Sequence, residues 1–324
     1  MLRWTVAVPV QSAIVSEGGN RITVRPPLPG GDPESEVRLV TARAAAAAAK
    51  APTSPSRATN RLSDAPSAAT RLDDHEAKFF ETVRPSDLSA VFQPIVTLAT
   101  GKIFAQEALV RCRLPQFASP ITLFEHAHAS RATGRLGRMI REIAIPLCSG
   151  IPVFVNLHPT ELEEGWLVRP DDPIFSHDHD IYLELTESVP ITQFQLCVTI
   201  LREVCRRASA HLVIDDLGAG FSNLKLISDL QPKVVKLDRN LVQDLDSKPR
   251  QQKLVKMVVR LCGELDATVV AEGIETAGEL SAVIDSGAQY GQGYLLARPA
   301  FPIPTVAWPP SAEFVKGTAK PRSR

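Results

Sequence analysis

The feature that most constrains the fold of this chain is a regular alternation of short apolar runs with segments of helical periodicity. The runs are rich in β-branched residues, and six of them are IPVFVNLH (151–158), DIYLELTES (180–188), HLVIDDLG (211–218), KVVKLDRN (233–240), TVVAEGIE (268–275) and YGQGYLLARP (290–299). Residues 194–208 repeat apolar positions at helical spacing, and residues 250–265 do so with Leu254, Val258 and Leu261. Strands that alternate with helices are typical of a parallel sheet, so an α/β fold is predicted.

A pair of strand-like runs precedes these units. The runs Val91–Leu98 and Ile103–Val110 are joined at Ala-Thr-Gly-Lys, and a glycine-containing break of this kind is typical of a hairpin. Together the runs amount to about eight strands in roughly 230 residues, the size of a TIM-like (β/α)8 barrel. An open, doubly wound sheet is the alternative that the pattern leaves open.

The two ends of the chain differ in composition from its middle. Residues 1–70 are dominated by Pro, Ser, Ala and Arg and have almost no aromatic residues, which predicts a disordered or linker-like segment. Within it, RITVRP (21–26) and EVRLVTAR (36–43) have the composition of short strands. Residues 71–302 are predicted to form the barrel domain, and residues 303–324 a loose, Pro-rich basic tail.

Charge and cysteine usage narrow the function classes. Lys and Arg number 36 and Asp and Glu number 36, so nothing indicates a surface for duplex nucleic acid or for a membrane. The five cysteines are scattered without a CxxC pair, which predicts reduced residues in a cytoplasmic protein. No run approaches the ~20 apolar residues that cross a bilayer.

Each strand-like run carries a polar residue near its carboxyl end. These residues are Glu107, Asn156, Glu184, Asp215, Asp216, Lys236, Glu272 and Gln292. In a barrel the strand ends converge on one mouth, and carboxylates held that close must protonate or bind cations. Because the donors are oxygens without Cys or His, they favour Mg²⁺ or Mn²⁺ over Zn²⁺. Two such ions about 3.5–4 Å apart are used for in-line attack on phosphodiesters.

Other interpretations apply to single positions. Any one of these acidic residues, taken alone, is explained as a helix cap or as half of a structural ion pair, and only their recurrence at the same strand end argues against that. The segment SHDHD (176–180) mixes His and Asp, but it precedes a strand, so we interpret it as a solvated loop at the opposite face. The turn DDLGAGFSN (215–223) lacks both GxGxxG and GK[ST], which argues against a nucleoside triphosphate site.

The same residues match a known family. From about Ser86 to Pro299 the chain resembles the EAL domain, whose members include phosphodiesterases that linearise the bacterial second messenger cyclic di-GMP to pGpG. The matching blocks, in order, are the signature Glu107-Ala108-Leu109, VNL (155–157), ELTES (184–188), DDLGAGFSN, KLDR (236–239), AEGIET (271–276) and GQGYLLARP (291–299). The resemblance implies a modified (β/α)8 barrel with one antiparallel strand, and a homodimer.

The resemblance also implies roles for single residues. The positions that match the family's first metal site are Glu107, Asn156, Glu184 and Asp215. Those that match the second are Asp215, Asp216 and Glu272. By the same correspondence Lys236 would orient and help activate the attacking water, and Gln292 would support the waters of the metal centre. Two ions, Mg²⁺ or Mn²⁺, are therefore expected, with Lys236, Glu107 and Gln292 as catalytic residues.

Five further positions are assigned in the same way. Arg111 resembles the family's substrate-phosphate contact, which its planar fork suits, and Leu109 is placed in the substrate site. Glu187 resembles the residue that anchors the glycine-rich loop. Glu275 and Asp238 are expected to contact the metal ligands and hold them in position without binding the metal themselves.

The sequence departs from the family pattern at several positions. Gln106 stands where an aromatic residue is usual, and Cys112 where a tryptophan is usual. The loop that usually reads DDFGTGYSS differs at Leu217, Ala219, Phe221 and Asn223. The missing threonine hydroxyl removes a hydrogen bond worth about 0.5–1.5 kcal/mol, so weaker or more regulated activity is expected.

The function that these observations predict is a metal-dependent phosphodiesterase that hydrolyses cyclic di-GMP to pGpG. The first alternative is a catalytically weak or inactive cyclic di-GMP receptor that acts through a protein partner. The second is an interaction scaffold that binds no nucleotide. The segment 1–70 is the candidate docking region for a protein partner.

Overall fold

The computed structural model of the chain forms two compact units, Met1–Arg71 and Leu72–Arg324. The residues that it describes are 14–17, 20–23, 74–163, 165–186, 194–219 and 224–309. In the first unit, β1 (Ile14–Glu17) pairs with β2 (Asn20–Thr23) in an antiparallel hairpin. This hairpin includes part of the predicted strand RITVRP, whereas the predicted strand EVRLVTAR lies outside the described residues.

The second unit is built around a closed eight-stranded barrel. Its strands are β3 (Leu88–Thr97), β4 (Lys102–Cys112), β5 (Val153–Leu157), β6 (Ile181–Thr186), β7 (Ala210–Leu217), β8 (Val234–Leu237), β9 (Thr268–Ala271) and β10 (Tyr290–Gly291). The order around the barrel is β10-β3-β4-β5-β6-β7-β8-β9. Strand β3 is antiparallel to both of its neighbours, and the other pairs are parallel. This confirms the predicted barrel, the hairpin and the single antiparallel strand.

Helices follow the strands around the outside of the barrel. They are α1 (Asp74–Thr82), α2 (Pro120–Ala129), α3 (Thr133–Ala144), α4 (Thr160–Glu163), α5 (Phe194–Ala208), α6 (Leu224–Leu230), α7 (Arg239–Val242), α8 (Pro249–Glu264) and α9 (Ala277–Ser286). In the part of the chain that the structure describes, no helix is both long enough and apolar enough to cross a bilayer. No disulfide joins the five cysteines, of which four are buried.

Helix α8 is present as predicted, but it turns a different face to the barrel. Its buried side chains are Val255, Val259 and Cys262. Leu254, which the periodicity places on the core face, is 49% exposed, and Met257 is 71% exposed. The helix carries apolar residues around a wide arc, so its spacing does not determine which edge of that arc docks. Packing against β9 selects the neighbouring edge.

A layer of apolar side chains fills the barrel interior and sets the direction of the functional residues. The members of this layer are Ile95, Ala105, Phe154, Tyr182, Val213, Val234 and Val270. Phe154 stacks on Tyr182 with ring centroids 4.2 Å apart. Because side chains alternate along a strand, the residue two positions towards the mouth from each member also faces the barrel axis. Those positions are Gln93, Glu107, Asn156, Glu184, Asp215, Lys236 and Glu272.

One network of buried charges lies outside the barrel. The Arg141 side chain on α3 is 1% exposed, and its Nη1 lies 2.6 Å from Glu161 Oε2 while its Nη2 lies 2.8 Å from Asp172 Oδ2. Burial raises the pKa of Glu161 against the opposing charge of Arg141. A Cβ at Gly137 would lie 2.3 Å from Glu161 Oε2, so the glycine gives the carboxylate its room. The network ties α3 to helix α4 through Glu161 and to the segment before β6 through Asp172.

Candidate active site

A buried lysine at the end of β8 is surrounded by carboxylates. Lys236 Nζ lies 2.6 Å from Glu272 Oε1, 2.7 Å from Glu184 Oε1, 3.1 Å from Asp215 Oδ1 and 3.5 Å from Glu107 Oε1. The lysine side chain is 1% exposed. Burial alone lowers the pKa of Lys236, but the four carboxylates outweigh burial and raise the pKa well above its ordinary value. Lys236 therefore stays charged and neutralises only part of the surrounding negative charge.

The excess of carboxylates is reflected in their pKa values. Burial raises the pKa of Glu184 against the opposing effect of Lys236, and the charges of Glu107 and Asp215 raise it further. Burial and the charge of Asp215 raise the pKa of Asp216 to about 6. Several neighbouring carboxyl groups with raised pKa values indicate a site that additional positive charge would stabilise.

The donors of this cluster fit divalent cations. Both carboxylate oxygens of Glu184, Asp215 Oδ1 and Gln292 Oε1 are buried and accept no hydrogen bond from the described residues. The nearest positive charge to the Glu184 carboxylate is Lys236 Nζ, 2.7 Å from Oε1 in an ion pair. One oxygen from each of Asp215, Asp216 and Glu272 lies within 4.8 Å of the others. Buried carboxylate oxygens without donors, held this close together, are the ligands that Mg²⁺ and Mn²⁺ take in proteins.

Two glutamines connect the cluster to the antiparallel strand. Gln292 Nε2 donates to Glu107 Oε2 at 2.6 Å and to Gln93 Oε1 at 3.2 Å. Gln93 Nε2 in turn donates to Ala297 O at 3.0 Å. Gln93 is not among the site residues predicted from the sequence, although a polar residue inside the buried run of β3 is the same signal that identified Glu107. Gln93 fixes the orientation of Gln292, and through it that of Glu107.

Three predicted ligands lie at the rim of the cluster. Asn156 is exposed at the end of β5, and it pairs in register with Glu184 of β6. Asp216 has a φ of +60°, a left-handed conformation that turns the chain at the end of β7. Glu272 directly follows the last residue of β9, as Gln292 does for β10. These last two residues thus lie just beyond the strands to which the sequence assigned them.

A cavity of about 320 Å³ opens above the cluster. Its lining includes Leu109, one alternation along β4 from Glu107, and Glu275. Asp238 Oδ1 accepts a hydrogen bond from Asn240 N at 2.9 Å and so caps the start of α7. The predicted loop anchor Glu187 lies outside the described residues, as do residues 220–223 of the glycine-rich loop.

Comparison with known proteins agrees with the barrel and its motifs. The model of the EAL domain matches residues 76–299, which is more than half of the chain. The chain belongs to the EAL domain family. A protein of Pseudomonas aeruginosa named cyclic di-GMP phosphodiesterase PA2567 is 31% identical over 231 residues, which is 67% of this chain and 39% of that protein. The chain spans 31–57% of the length of the curated relatives with which it is compared.

Solved structures of EAL proteins include complexes with metal and nucleotide. The calcium and cyclic di-GMP complex of BlrP1 from Klebsiella pneumoniae is 32% identical, with a TM-score of 0.57 over 67% of this chain and 57% of that one. A manganese and cyclic di-GMP complex of the same protein is 32% identical, with a TM-score of 0.56 over 66% of this chain and 56% of that one.

The arginine that follows the Glu-Ala-Leu signature, Arg111, does not line the cavity of this EAL domain. Arg111 lies two alternations from Glu107 on the same face of β4, and its Nη1 donates to Val110 O at 2.8 Å. The assignment of Arg111 as a phosphate contact stays a prediction.

The segment SHDHD lies at the opposite end of this EAL domain. His177 Nε2 lies 3.0 Å from Ile151 O, and Asp178 accepts hydrogen bonds from Ser149 Oγ and from Gly150 N, both at 3.0 Å. Among the described residues, no group of three metal-ligating side chains comes together there. Its polar atoms thus hold the segment to residues 149–151, which precede β5.

Proposed function

We propose that this EAL domain is a metal-dependent phosphodiesterase that hydrolyses cyclic di-GMP to linear pGpG. The observation that supports the proposal best is the group of carboxylates at the barrel mouth, in which both oxygens of Glu184 and Oδ1 of Asp215 are buried and accept no hydrogen bond from the described residues. Four of these carboxylates share a single lysine. Named relatives are cyclic di-GMP phosphodiesterases, and similar structures hold this nucleotide with calcium or manganese.

The proposed cofactors are two Mg²⁺ or Mn²⁺ ions. The proposed ligands of the first ion are Glu107, Asn156, Glu184 and Asp215. The proposed ligands of the second ion are Asp215, Asp216 and Glu272. When bound, the ions would lower the pKa of the attacking water and stabilise the charge that develops on the phosphate.

The remaining residues of the site supply positive charge, hold Glu107 in place and line the cavity. Lys236 brings a fixed positive charge to the base of the cavity, so it stabilises negative charge on an attacking oxygen or on a phosphate oxygen. Gln292 holds Glu107 by a hydrogen bond of 2.6 Å and keeps that carboxylate aimed at the cavity. Leu109 provides an apolar wall beside the carboxylates.

The receptor alternative is not favoured. Its support is the altered loop, of which Leu217 is 2% exposed and Ala219 is exposed. Every position of the predicted ligand set nevertheless carries an oxygen donor, and a receptor that only binds has no need of Lys236 among four carboxylates.

Several predictions from the sequence extend beyond the site. They are the homodimer, a protein partner docked through residues 1–70, the domain bounds at 71–302 with a tail at 303–324, and the cytoplasmic location. Each stays a prediction, because the described residues do not test it.

The test compares Glu107→Gln with Glu264→Gln in the full chain. Glu264 is a matched control, because its side chain is 60% exposed and it is the last residue of α8, at the end of the helix far from the barrel mouth. Each protein is incubated with cyclic di-GMP and Mg²⁺ or Mn²⁺, with Ca²⁺ as a control, and pGpG is measured by ion-exchange chromatography.

We expect pGpG with Mg²⁺ or Mn²⁺ and none with Ca²⁺. We expect E107Q to lose roughly 100-fold or more of the rate, since even residues behind a metal ligand cost about 10–100-fold. E264Q should match the wild type. No pGpG from the wild type, with saturable nucleotide binding, would identify the protein as a receptor. Equal turnover by E107Q would refute the assignment of Glu107.

A further inference from the structure

The cavity above the carboxylate cluster presents an electrostatic problem for a phosphodiester. Its lining contains five carboxylates, from Glu107, Asp215, Asp216, Glu272 and Glu275. The lysine of the cluster cannot offset all of them, because its side chain is 1% exposed and already lies within 3.5 Å of four carboxylates. Even with two divalent ions bound, the ions and Lys236 supply five positive charges against six from these carboxylates and Glu184, so a further cation at the rim would favour the binding of a doubly charged dinucleotide.

Apart from Lys236, Arg239 is the cationic side chain among the described residues that line the cavity. Its side chain is 53% exposed, and its Nη2 lies 3.1 Å from Glu275 Oε1. A guanidinium has five N–H donors in a fixed plane, so this single contact leaves most of the fork available to a phosphate.

The position of Arg239 is set from both ends of its side chain. It is the first residue of α7, three positions after Lys236, and the Asp238 side chain caps that helix. A Cβ at Gly273 would lie 2.5 Å from Arg239 Cγ, so the stem of the arginine lies directly over the backbone beside Glu272. Gly273 has a φ of +69° and leaves room for this stem. Glu275 then holds the guanidinium at the mouth.

We propose that Arg239 contacts a phosphate of the bound nucleotide and sets the affinity of the site for a doubly charged dinucleotide. This assignment rests on the proposed function, since it names the contact by which the same site recognises its substrate. The role is one of binding, so Arg239 contributes equally to the ground state and to the transition state and acts on KM.

The experiment compares Arg239→Met and Arg239→Lys with Arg260→Met in the full chain. Methionine retains an apolar stem over Gly273 and removes only the charged fork, and lysine retains the charge without the fork. Arg260 is the matched control, because it is 82% exposed, pairs with Glu264 at 2.9 Å and lies at the far end of α8. KM and kcat for cyclic di-GMP are measured with Mn²⁺, and the dissociation constant is measured by calorimetry with Ca²⁺.

We expect R239M to raise both KM and the dissociation constant by roughly 10- to 100-fold, the effect of one hydrogen-bonded charge contact, with kcat unchanged. R239K should show a smaller rise, and R260M none. The wild type should lose affinity with rising salt more steeply than R239M.

Two results would overturn the assignment. One is an unchanged KM and dissociation constant in R239M. The other is a lower kcat for R239M at unchanged KM, together with loss of bound Mn²⁺ in equilibrium dialysis. That result would mean that Arg239 only supports the end of the strand at Glu272. If the wild type does not hydrolyse the nucleotide, the proposed function fails, and the dissociation constants with Ca²⁺ still decide the role of Arg239. A wild type that neither hydrolyses nor binds the nucleotide overturns both.

Discussion

Replacement of Arg141 by methionine should cost far more stability than replacement of Arg138 on the same helix. Arg141 is the only counter-charge that the structure shows for the buried carboxylates of Glu161 and Asp172, both 0% exposed, within the described residues. Three of its nitrogens donate to these carboxylates, Nε and Nη2 to Asp172 and Nη1 to Glu161. The substitution leaves two carboxylates in the interior without a counter-charge, each with one backbone N–H donor, from His158 to Glu161 and from Ile174 to Asp172.

The structure supports an estimate of the loss. Three hydrogen bonds to charged groups, at about 1.5–3 kcal/mol each, amount to roughly 5–9 kcal/mol. The buried methionine side chain returns about 1.5–3 kcal/mol, and proton uptake by Glu161 relieves a further part, because burial already raises its pKa. The expected net loss is about 3–5 kcal/mol, the range for a broken buried pair. For a domain of this size the loss lowers Tm by roughly 6–20 °C.

Arg138 provides the control. It pairs with Asp171 and Glu142, but these partners are 61% and 46% exposed. Exposed pairs contribute about 0–1 kcal/mol, so R138M should lower Tm by no more than about 4 °C.

Urea unfolding and thermal unfolding of both variants, in the presence of a chelator, measure the difference. Adding Glu161→Gln to R141M should recover stability, because it removes one of the stranded charges. If R141M is no less stable than R138M, or if E161Q worsens it, the interpretation of the network as paired charges is wrong.

Three further predictions concern single positions. Gly137→Ala should destabilise the protein by about 1–3 kcal/mol in urea unfolding, because the added methyl overlaps the Glu161 carboxylate, and an unchanged midpoint would contradict this close approach. Asp87→Asn should destabilise the folded protein at neutral pH only. Hydrogen bonds from the Arg84 backbone and from Arg113 lower the pKa of Asp87. The contribution of the ionised Asp87 to folding stability is therefore present above its ordinary pKa of about 3.9 and is lost as pH falls through the lower pKa of the folded state. Unfolding curves of D87N and wild type should therefore converge in acid, and a difference that persists there would refute the electrostatic explanation. Lys236→Met should abolish hydrolysis and lower Tm in a chelator, since it leaves four carboxylates without their shared cation. Mn²⁺ should raise the Tm of the variant more than that of the wild type, and no rise in either protein would show that the carboxylates do not take the ions.

Much of the fold and of the candidate site follows from local pattern. The period of two along each strand determines that Glu107 and Glu184 face the same side as the apolar residues two positions before them. The break at Gly101, which has a φ of +69°, marks the hairpin and hence the antiparallel strand. These properties depend on residues a few positions apart, so they can be predicted from the sequence alone.

Other features depend on how distant segments meet. The spacing of apolar residues in α8 is compatible with burial of either of two helix faces. Only the packing of α8 on β9 shows that Val255 is buried and Leu254 is exposed. Gln93 and Gln292 are 199 positions apart, and their hydrogen bond forms because β10 closes the barrel against β3.

The pattern of the sequence by itself determined an α/β fold with oxygen donors at the carboxyl ends of its strands, and the structure decided for a closed barrel over an open sheet. Only the tertiary structure decided that Lys236 is shared by four carboxylates, that Arg141 has two buried partners, and that Arg239 rather than Arg111 lines the cavity. The physical reason is that the direction of a side chain follows from the local backbone, whereas its partners are chosen by closure of the barrel and by the burial that closure imposes.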